Sequence, residues 1–341
     1  MGVRMISISV CMIVKNEEKV LKRCLDSLKK IADEIIIVDT GSTDNTLQIA
    51  AHYTNQIYYY KWNQNFSDAR NFAFSKATRD YIYSADADEV IDSKNIQRFL
   101  TLKAALLPEI EIVQMLYCNQ LQFNTTYNYD EEYRPKLFKR LRTFHFIEPI
   151  HETIAMEPVV FDSDIRIFHM PESNHASRDL EKFVALQKEN TRLSTHLHNM
   201  YARELFIAGK DADFIAAIPA FETTLTDVAR SESEILEATA VLAHAYRIQK
   251  NTHLFFTNVL KNIVCSSCSE ICYELGEYYY HLKDMENACV WYQNAAYETE
   301  CILDIRVKNH YALQGLSNCY RAVGNIEEAA RYELLLDNSS M

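Results

Sequence analysis

Residues 34–44 read Glu34-Ile-Ile-Ile-Val-Asp-Thr-Gly-Ser-Thr-Asp44. The branched apolar run Ile35 to Val38 has no polar alternation, so Glu34 to Val38 is expected to be a strand buried on both faces, as in a parallel sheet. The acidic, hydroxyl-rich turn from Asp39 to Asp44 ends it. Thr43 or Ser42 is placed to cap the next helix, which carries Leu47, Ile49 and Ala50. The same alternation continues on either side. Ile6 to Val14 is a second buried run, broken by Lys15-Asn16-Glu17-Glu18 and followed by a helix face of Val20, Leu21, Cys24, Leu25 and Leu28. Gln56 to Tyr60 reads as a strand, Phe66 to Lys76 as a helix, and Tyr81 to Ser84 as a strand running into Asp86-Ala87-Asp88. This βαβ spacing makes the class α/β, with a Rossmann-like, mainly parallel sheet that binds ligands at the carboxyl ends of its strands.

From about Arg178 the strand signals vanish and helical periodicity takes over. Leu275, Gly276, Tyr279, Ala288, Tyr292 and Ala295 occupy the spacing of a tetratricopeptide repeat. Leu316, Ser317, Tyr320, Gly324, Ala329 and Leu336 occupy equivalent places. Small residues let two helices approach, and large ones fill the groove between them. A third candidate, Tyr201 to Leu225, contains Pro219, which is expected to kink or end a helix. The 341 residues therefore divide into an expected α/β domain at 1–175 and an all-α domain at 176–341.

Composition excludes several classes. A net charge of −12 speaks against nucleic acid as the main partner. The basic cluster Lys136, Lys139, Arg140 and Arg142 reads as a solvated loop. No apolar run reaches the length of a membrane span. Met1 to Val14 lacks a signal-peptide cleavage site, and Ile6 breaks the myristoylation pattern. Nine cysteines show no disulfide framework and read as reduced thiols, which places the chain in the cytoplasm. Cys265, Cys268 and Cys272 find no second half at zinc-ligand spacing, so packing is their reading. With only six glycines, neither a P-loop nor a Gly-x-Gly-x-x-Gly turn can be written.

The candidate chemistry is acidic. Asp39, Asp86 and Asp88 each follow a strand, and in a parallel sheet those ends gather on one edge. Clustered carboxylates repel unless a cation satisfies them, and oxygen ligands suit Mg2+ or Mn2+ carrying a diphosphate. The aromatic cluster Tyr127, Tyr129 and Tyr133 reads as loop packing before sugar stacking. Tyr279 reads as core.

Cys11-Met-Ile-Val-Lys-Asn-Glu-Glu18, Ile36-Ile-Val-Asp-Thr-Gly-Ser-Thr-Asp44, Phe66-Ser-Asp-Ala-Arg-Asn71 and Asp86-Ala-Asp88 together resemble the family 2 glycosyltransferases of GT-A fold, over roughly residues 6–95. The resemblance implies a UDP-sugar donor, with Val14, Asn16 and Glu18 lining the nucleotide pocket and Asp39 accepting from the base. It places Ser67, Arg70, Asn71 and Ala87 near the nucleotide, Arg70 toward a phosphate. Asp86 would face ribose or metal, and Asp88 would bind Mg2+ or Mn2+, with His169 as a third metal ligand. Ile150-His151-Glu152, Phe168-His169-Met170 and the helical tail resemble the subgroup that glycosylates cysteine or serine of glycocin (sublancin-type) bacteriocin peptides. Ile147-Glu148-Pro149 departs from that pattern, where a glycine-containing turn is expected.

The family inverts the anomeric centre, so one base should deprotonate the acceptor. Glu152 is the first candidate, then His151, then His145. The implied partners are a UDP-sugar, a cysteine- or serine-bearing peptide and a second copy in a homodimer. Transfer to a lipid-linked or cell-surface glycan is the alternative acceptor. An inactive sugar-nucleotide domain on a helical scaffold is the non-enzymatic reading.

Overall fold

The computed structural model describes residues 5–119, 131–150, 152–154, 157–171, 176–188, 192–263 and 267–339. His151, Tyr127, Tyr129 and Cys265 lie outside the described residues. The chain divides into two compact units, one ending at Asn174 and one running from His175.

The first unit alternates strand and helix in the order β1 (Ile8–Val14), α1 (Leu21–Leu28), β2 (Glu34–Asp39), α2 (Thr46–Ala50), β3 (Ile57–Tyr59), α3 (Phe66–Ser75) and β4 (Tyr81–Ala85). It continues with β5 (Glu89–Val90), α4 (Ser93–Ala105), β6 (Ile112–Cys118), β7 (Glu132–Lys139), β8 (Phe146–Ile147), β9 (Thr153–Ile154) and β10 (Val160–His169). Eight strands form one sheet in the order β3-β2-β1-β4-β7-β6-β10-β5, and β8 pairs with β9 alone. The first four are parallel, β7 runs antiparallel between β4 and β6, and β5 closes the far edge antiparallel to β10. This is the mainly parallel, GT-A-type α/β sheet.

Burial explains the arrangement. All six residues of β2 are buried, as a strand covered on both faces requires. One face carries Val10, Met12, Ile37, Tyr83 and Met115 under Leu21 and Leu25 of α1 and Phe99 of α4. The other carries Cys11, Ile36, Val38 and Ile82 under Ala73 and Phe74 of α3.

The second unit is helical: α5 (Ala176–Lys188), α6 (Thr195–Ala208), α7 (Asp211–Thr226), α8 (Glu232–Ile248), α9 (Thr252–Ile263), α10 (Ser269–His281), α11 (Met285–Gln293), α12 (Ala312–Ala322) and α13 (Ile326–Ser339). Pro219 does not end a helix, because α7 runs through it. The bond that Pro219 cannot donate falls to the carbonyl of exposed Ile215, where water can replace it. The small and large residues expected at repeat spacing meet one another in α10, α11 and α12. A Cβ on Gly276 of α10 would lie 2.5 Å from the ring of Tyr292 on α11, and one on Gly315 of α12 would lie 2.6 Å from it. Two glycines thus flank one aromatic ring, and its hydroxyl donates to Glu277 at 2.6 Å. Cys268 and Cys272 are buried within this packing.

Candidate active site

The pairings Val14↔Asp39, Asp39↔Tyr59 and Met12↔Ala85 put the carboxyl ends of β1 to β4 on one edge of the sheet. The loops after β1 and β2 are stitched into one wall. Asn16 adopts a left-handed φ of 57°, which its short polar side chain tolerates. Its N–H donates to Ser42 Oγ at 3.0 Å, and its Oδ1 accepts from Thr43 N at 2.7 Å. Glu18 Oε2 accepts from Asn45 N at 3.0 Å and Nδ2 at 2.8 Å. The carbonyl of Val14 accepts from Thr40 N at 3.0 Å. Asp39 is buried, and its carboxylate accepts the N–H groups of Gly41 and Ser42 at 3.1 Å. Only at Gly41, with φ +107°, does this turn need glycine.

Neither Ser42 nor Thr43 caps α2. The helix begins at Thr46, whose N–H is met by Asp44 Oδ1 at 2.9 Å, while Ser42 and Thr43 are spent on Asn16.

A second cluster forms after β4. Arg70, reaching from α3, donates to Glu152 Oε1 at 3.0 Å, Ser84 Oγ at 2.5 Å and Asp86 Oδ1 at 3.4 Å. Burial works against its charge, but Glu152 and Asp86 more than offset that and hold the guanidinium above its ordinary value. Lys136 donates to Ser84 O at 3.2 Å and Asp86 Oδ2 at 3.3 Å, and pairs closely with Glu89 Oε1. Each oxygen of Asp86 therefore faces a different cation. Partial burial penalises its charge, yet Lys136 and then Arg70 hold it far below the usual carboxylate range. Burial pushes Glu89 up to about 8, with Asp86 adding to burial and Lys136 pulling the other way.

Asp88 lies next to this cluster with different partners. The register His169↔Glu89 and the bond from Met170 N to Asp88 O at 2.9 Å bring the end of β10 beside it. His169 Nε2 then sits 3.2 Å from Asp88 Oδ2. Ala87 is buried between the two acids.

The remaining expected residues act on the backbone around the site. Ser67 Oγ donates to the carbonyl of Glu148 at 2.5 Å, and Phe66 N donates to that of Pro149 at 3.0 Å. Asn71 spends both ends of its amide on Phe146, donating at 2.9 Å and accepting at 2.8 Å. Ser67 and Asn71 thus hold the segment that leads to Glu152. Where a glycine turn is expected, Glu148 itself takes φ 75°, a conformation costing a side-chain-bearing residue about 1–2 kcal/mol. His145 is exposed and lines a cavity of about 220 Å³ with Phe74, Ile82, Phe138 and Phe144; none of the site acids lines it.

The basic cluster is not a solvated loop. Lys136 and Lys139 are strand residues, and Lys136 is only 5% exposed. Arg140 bonds the carbonyl of Arg79, and Arg142 pairs with Glu111. Lys136 and Glu89 are the site residues that sequence reasoning missed. Glu89 was signalled by its place directly after Asp86-Ala-Asp88, Lys136 by nothing local.

A hard divalent cation fits this donor set in part. Among the described residues no three His, Cys, Asp or Glu side chains gather as a ready-made metal site. Asp86, Asp88 and His169 therefore do not stand as a three-donor set, because the oxygens of Asp86 are turned to Arg70 and Lys136. Asp88 and His169 supply a carboxylate and an imidazole. Mg2+ and Mn2+ are commonly held by one or two protein carboxylates, with substrate phosphates and water completing the shell.

Residues 9–171 match the family model for glycosyl transferase family 2. A TPR repeat-containing protein of Synechococcus elongatus is 45% identical over 89 residues, 26% of this chain and 22% of that protein. The SPbeta prophage-derived glycosyltransferase SunS of Bacillus subtilis is 28% identical over 220 residues, 61% of this chain and 51% of that one. The chain spans about half the length, or less, of these relatives. Among solved structures, the mannosyltransferase PcManGT of Pyrobaculum calidifontis is 13% identical with a TM-score of 0.43, over 87% of this chain and 89% of its own.

Proposed function

We propose, from the match of residues 9–171 to the family model for glycosyl transferase family 2, that the chain is an inverting, metal-dependent hexosyltransferase. It moves glucose or an N-acetylhexosamine from a UDP-sugar to a cysteine or serine side chain of a bacteriocin-type precursor peptide. The observation that carries this reading is the meeting of Asp39, Asp86 and Asp88 at one edge of the sheet, with His169 beside Asp88. The peptide acceptor rests on the resemblance to the glycocin subgroup, with the helical unit proposed to hold the peptide, a second copy, or both. The cytoplasm suits a chain whose eight described cysteines are all free thiols.

Asp39, fixed by the Gly41 and Ser42 amides, accepts from the base of the nucleotide, which favours uracil. Asn16 and Glu18 keep the pocket wall in place. Three of the five N–H groups of Arg70 are spent on Glu152, Ser84 and Asp86, leaving two for a phosphate. Asp88 and His169 would hold Mg2+ or Mn2+. Bound there, the cation would offset the charge that builds on the diphosphate as the anomeric bond breaks. Glu152 keeps Oε1 on Arg70 and presents Oε2 to the acceptor proton; a cysteine acceptor needs less help, its free pKa being about 8.5.

The test is direct. The protein is incubated with UDP-glucose or UDP-N-acetylhexosamines, Mn2+, and peptides bearing cysteine or serine, and peptide mass is followed. Addition of one hexose or one N-acetylhexosamine, according to the donor, is expected. No mass increase with any donor and acceptor, or transfer to lipid-linked glycans alone, would overturn the reading.

A further inference from the structure

The buried lysine of the site stands at an irregularity in its strand. Val113 of β6 pairs with Leu137 of β7, but the next residue, Gln114, pairs with Pro135. Lys136 is the extra residue, a β-bulge. Bulges bend a strand locally and re-aim one side chain, often next to an active site. Here the re-aimed ammonium reaches over the ring of Tyr117, 5.3 Å from its centroid, to the end of β4. All three of its polar contacts, Ser84 O, Asp86 Oδ2 and Glu89 Oε1, belong to the segment that carries the acid triplet.

This placement gives the two aspartates of the triplet different surroundings. Asp86 has Arg70 on one oxygen and Lys136 on the other. Asp88 has only an imidazole described at its carboxylate. A fixed positive charge beside the acids also opposes any further cation, and in a partly buried site that repulsion is only weakly screened.

We propose that Lys136 is a positioning residue that reserves Asp86, holding it with Arg70 as a paired carboxylate outside the metal shell and keeping the affinity for free metal low. Metal then binds firmly only when a nucleotide diphosphate brings its own charge. The inference rests on the metal-dependent reading above and concerns this chain's lysine alone.

Mn2+ titration followed by electron paramagnetic resonance, with and without UDP, tests it on the full chain. For Lys136→Met, Mn2+ alone should bind at least about tenfold tighter than to wild type, because one positive charge is gone and Asp86 is released. The gain from adding UDP should shrink accordingly. Lys136→Arg, which keeps the charge, should stay within about threefold of wild type. If Lys136→Met does not melt cooperatively, Lys136→Gln, whose amide retains a bond to Ser84 O, takes its place with the same expectation. Mn2+ binding that is unchanged or weaker in the neutral variant overturns the inference and leaves Lys136 a structural ion pair. A wild type that takes up no Mn2+ even with UDP overturns the donor reading itself, and the inference with it.

Discussion

Single residues divide sharply by what tied them into place. Asp39, Asp86 and Asp88 were legible because a parallel sheet gathers strand ends, so position after an apolar run was enough. Lys136 was not, because its role depends on a one-residue slip in the pairing of β6 with β7, which only tertiary register shows. Glu148 was half legible: the missing glycine marked a departure, but not that glutamate itself would take the left-handed turn. Asp88 carries the clearest prediction at this scale. Asp88→Asn should lower sugar transfer by a factor on the order of 10²–10³, the cost of losing one group aimed at developing charge. Stability should stay within about 0.5 kcal/mol, since the carboxylate is not part of the core. A variant that retains full transfer would remove Asp88 from the metal site.

Among the elements, β1 to β4 and the helices between them were set by local pattern, and the structure moves the ends of those strands by only a residue or two, whereas α4 and β5 to β10 carried no such reading. Prediction failed where a side chain found a partner far away in sequence. Ser42 and Thr43 look like helix caps but are claimed by Asn16, 26 and 27 residues earlier. Pro219 looked like a breaker, yet α7 continues because the lost bond lies on its exposed side. The α10–α11–α12 packing is the tightest case. Gly276→Ala would push a methyl into the ring of Tyr292, against which Gly315 is also packed. Overpacking of this kind costs about 1–3 kcal/mol. Thermal melting should show a loss for Gly276→Ala and Gly315→Ala alike, and Tyr292→Leu should relieve part of the Gly276→Ala penalty. Equal melting of wild type and both alanine variants would contradict the packing described.

For the whole molecule, part of the acid sensitivity should come from the helical unit. Glu274 is fully buried between Arg247 and His244. Burial opposes its charge, but Arg247 and then His244 pull its pKa from 4.5 down to about 2. Its contribution is complete above about pH 4.5 and is lost as pH falls through about 2, an effect on the order of 3 kcal/mol. Circular dichroism of the full chain between pH 7 and pH 2 should show helix loss beginning below about pH 4.5. Glu274→Gln should be less stable at pH 7 and should flatten that fall; a variant that keeps the wild-type slope would exclude Glu274 as its source.

The partners at the acid cluster are distant along the chain: Asp86 meets Lys136 across 50 residues, Asp88 meets His169 across 81, and Arg70 meets Glu152 across 82. Contacts of such high order pay the entropy of closing long loops before any of them is rewarded. The motif-rich opening of the chain therefore cannot assemble the site alone, and a nascent polypeptide that has emerged only as far as α4 carries the acids and Arg70 without Lys136, Glu152 or His169. The acid cluster is complete only once β10, which ends at His169, has docked, so a chain that stops short of it carries the motifs without the assembled site.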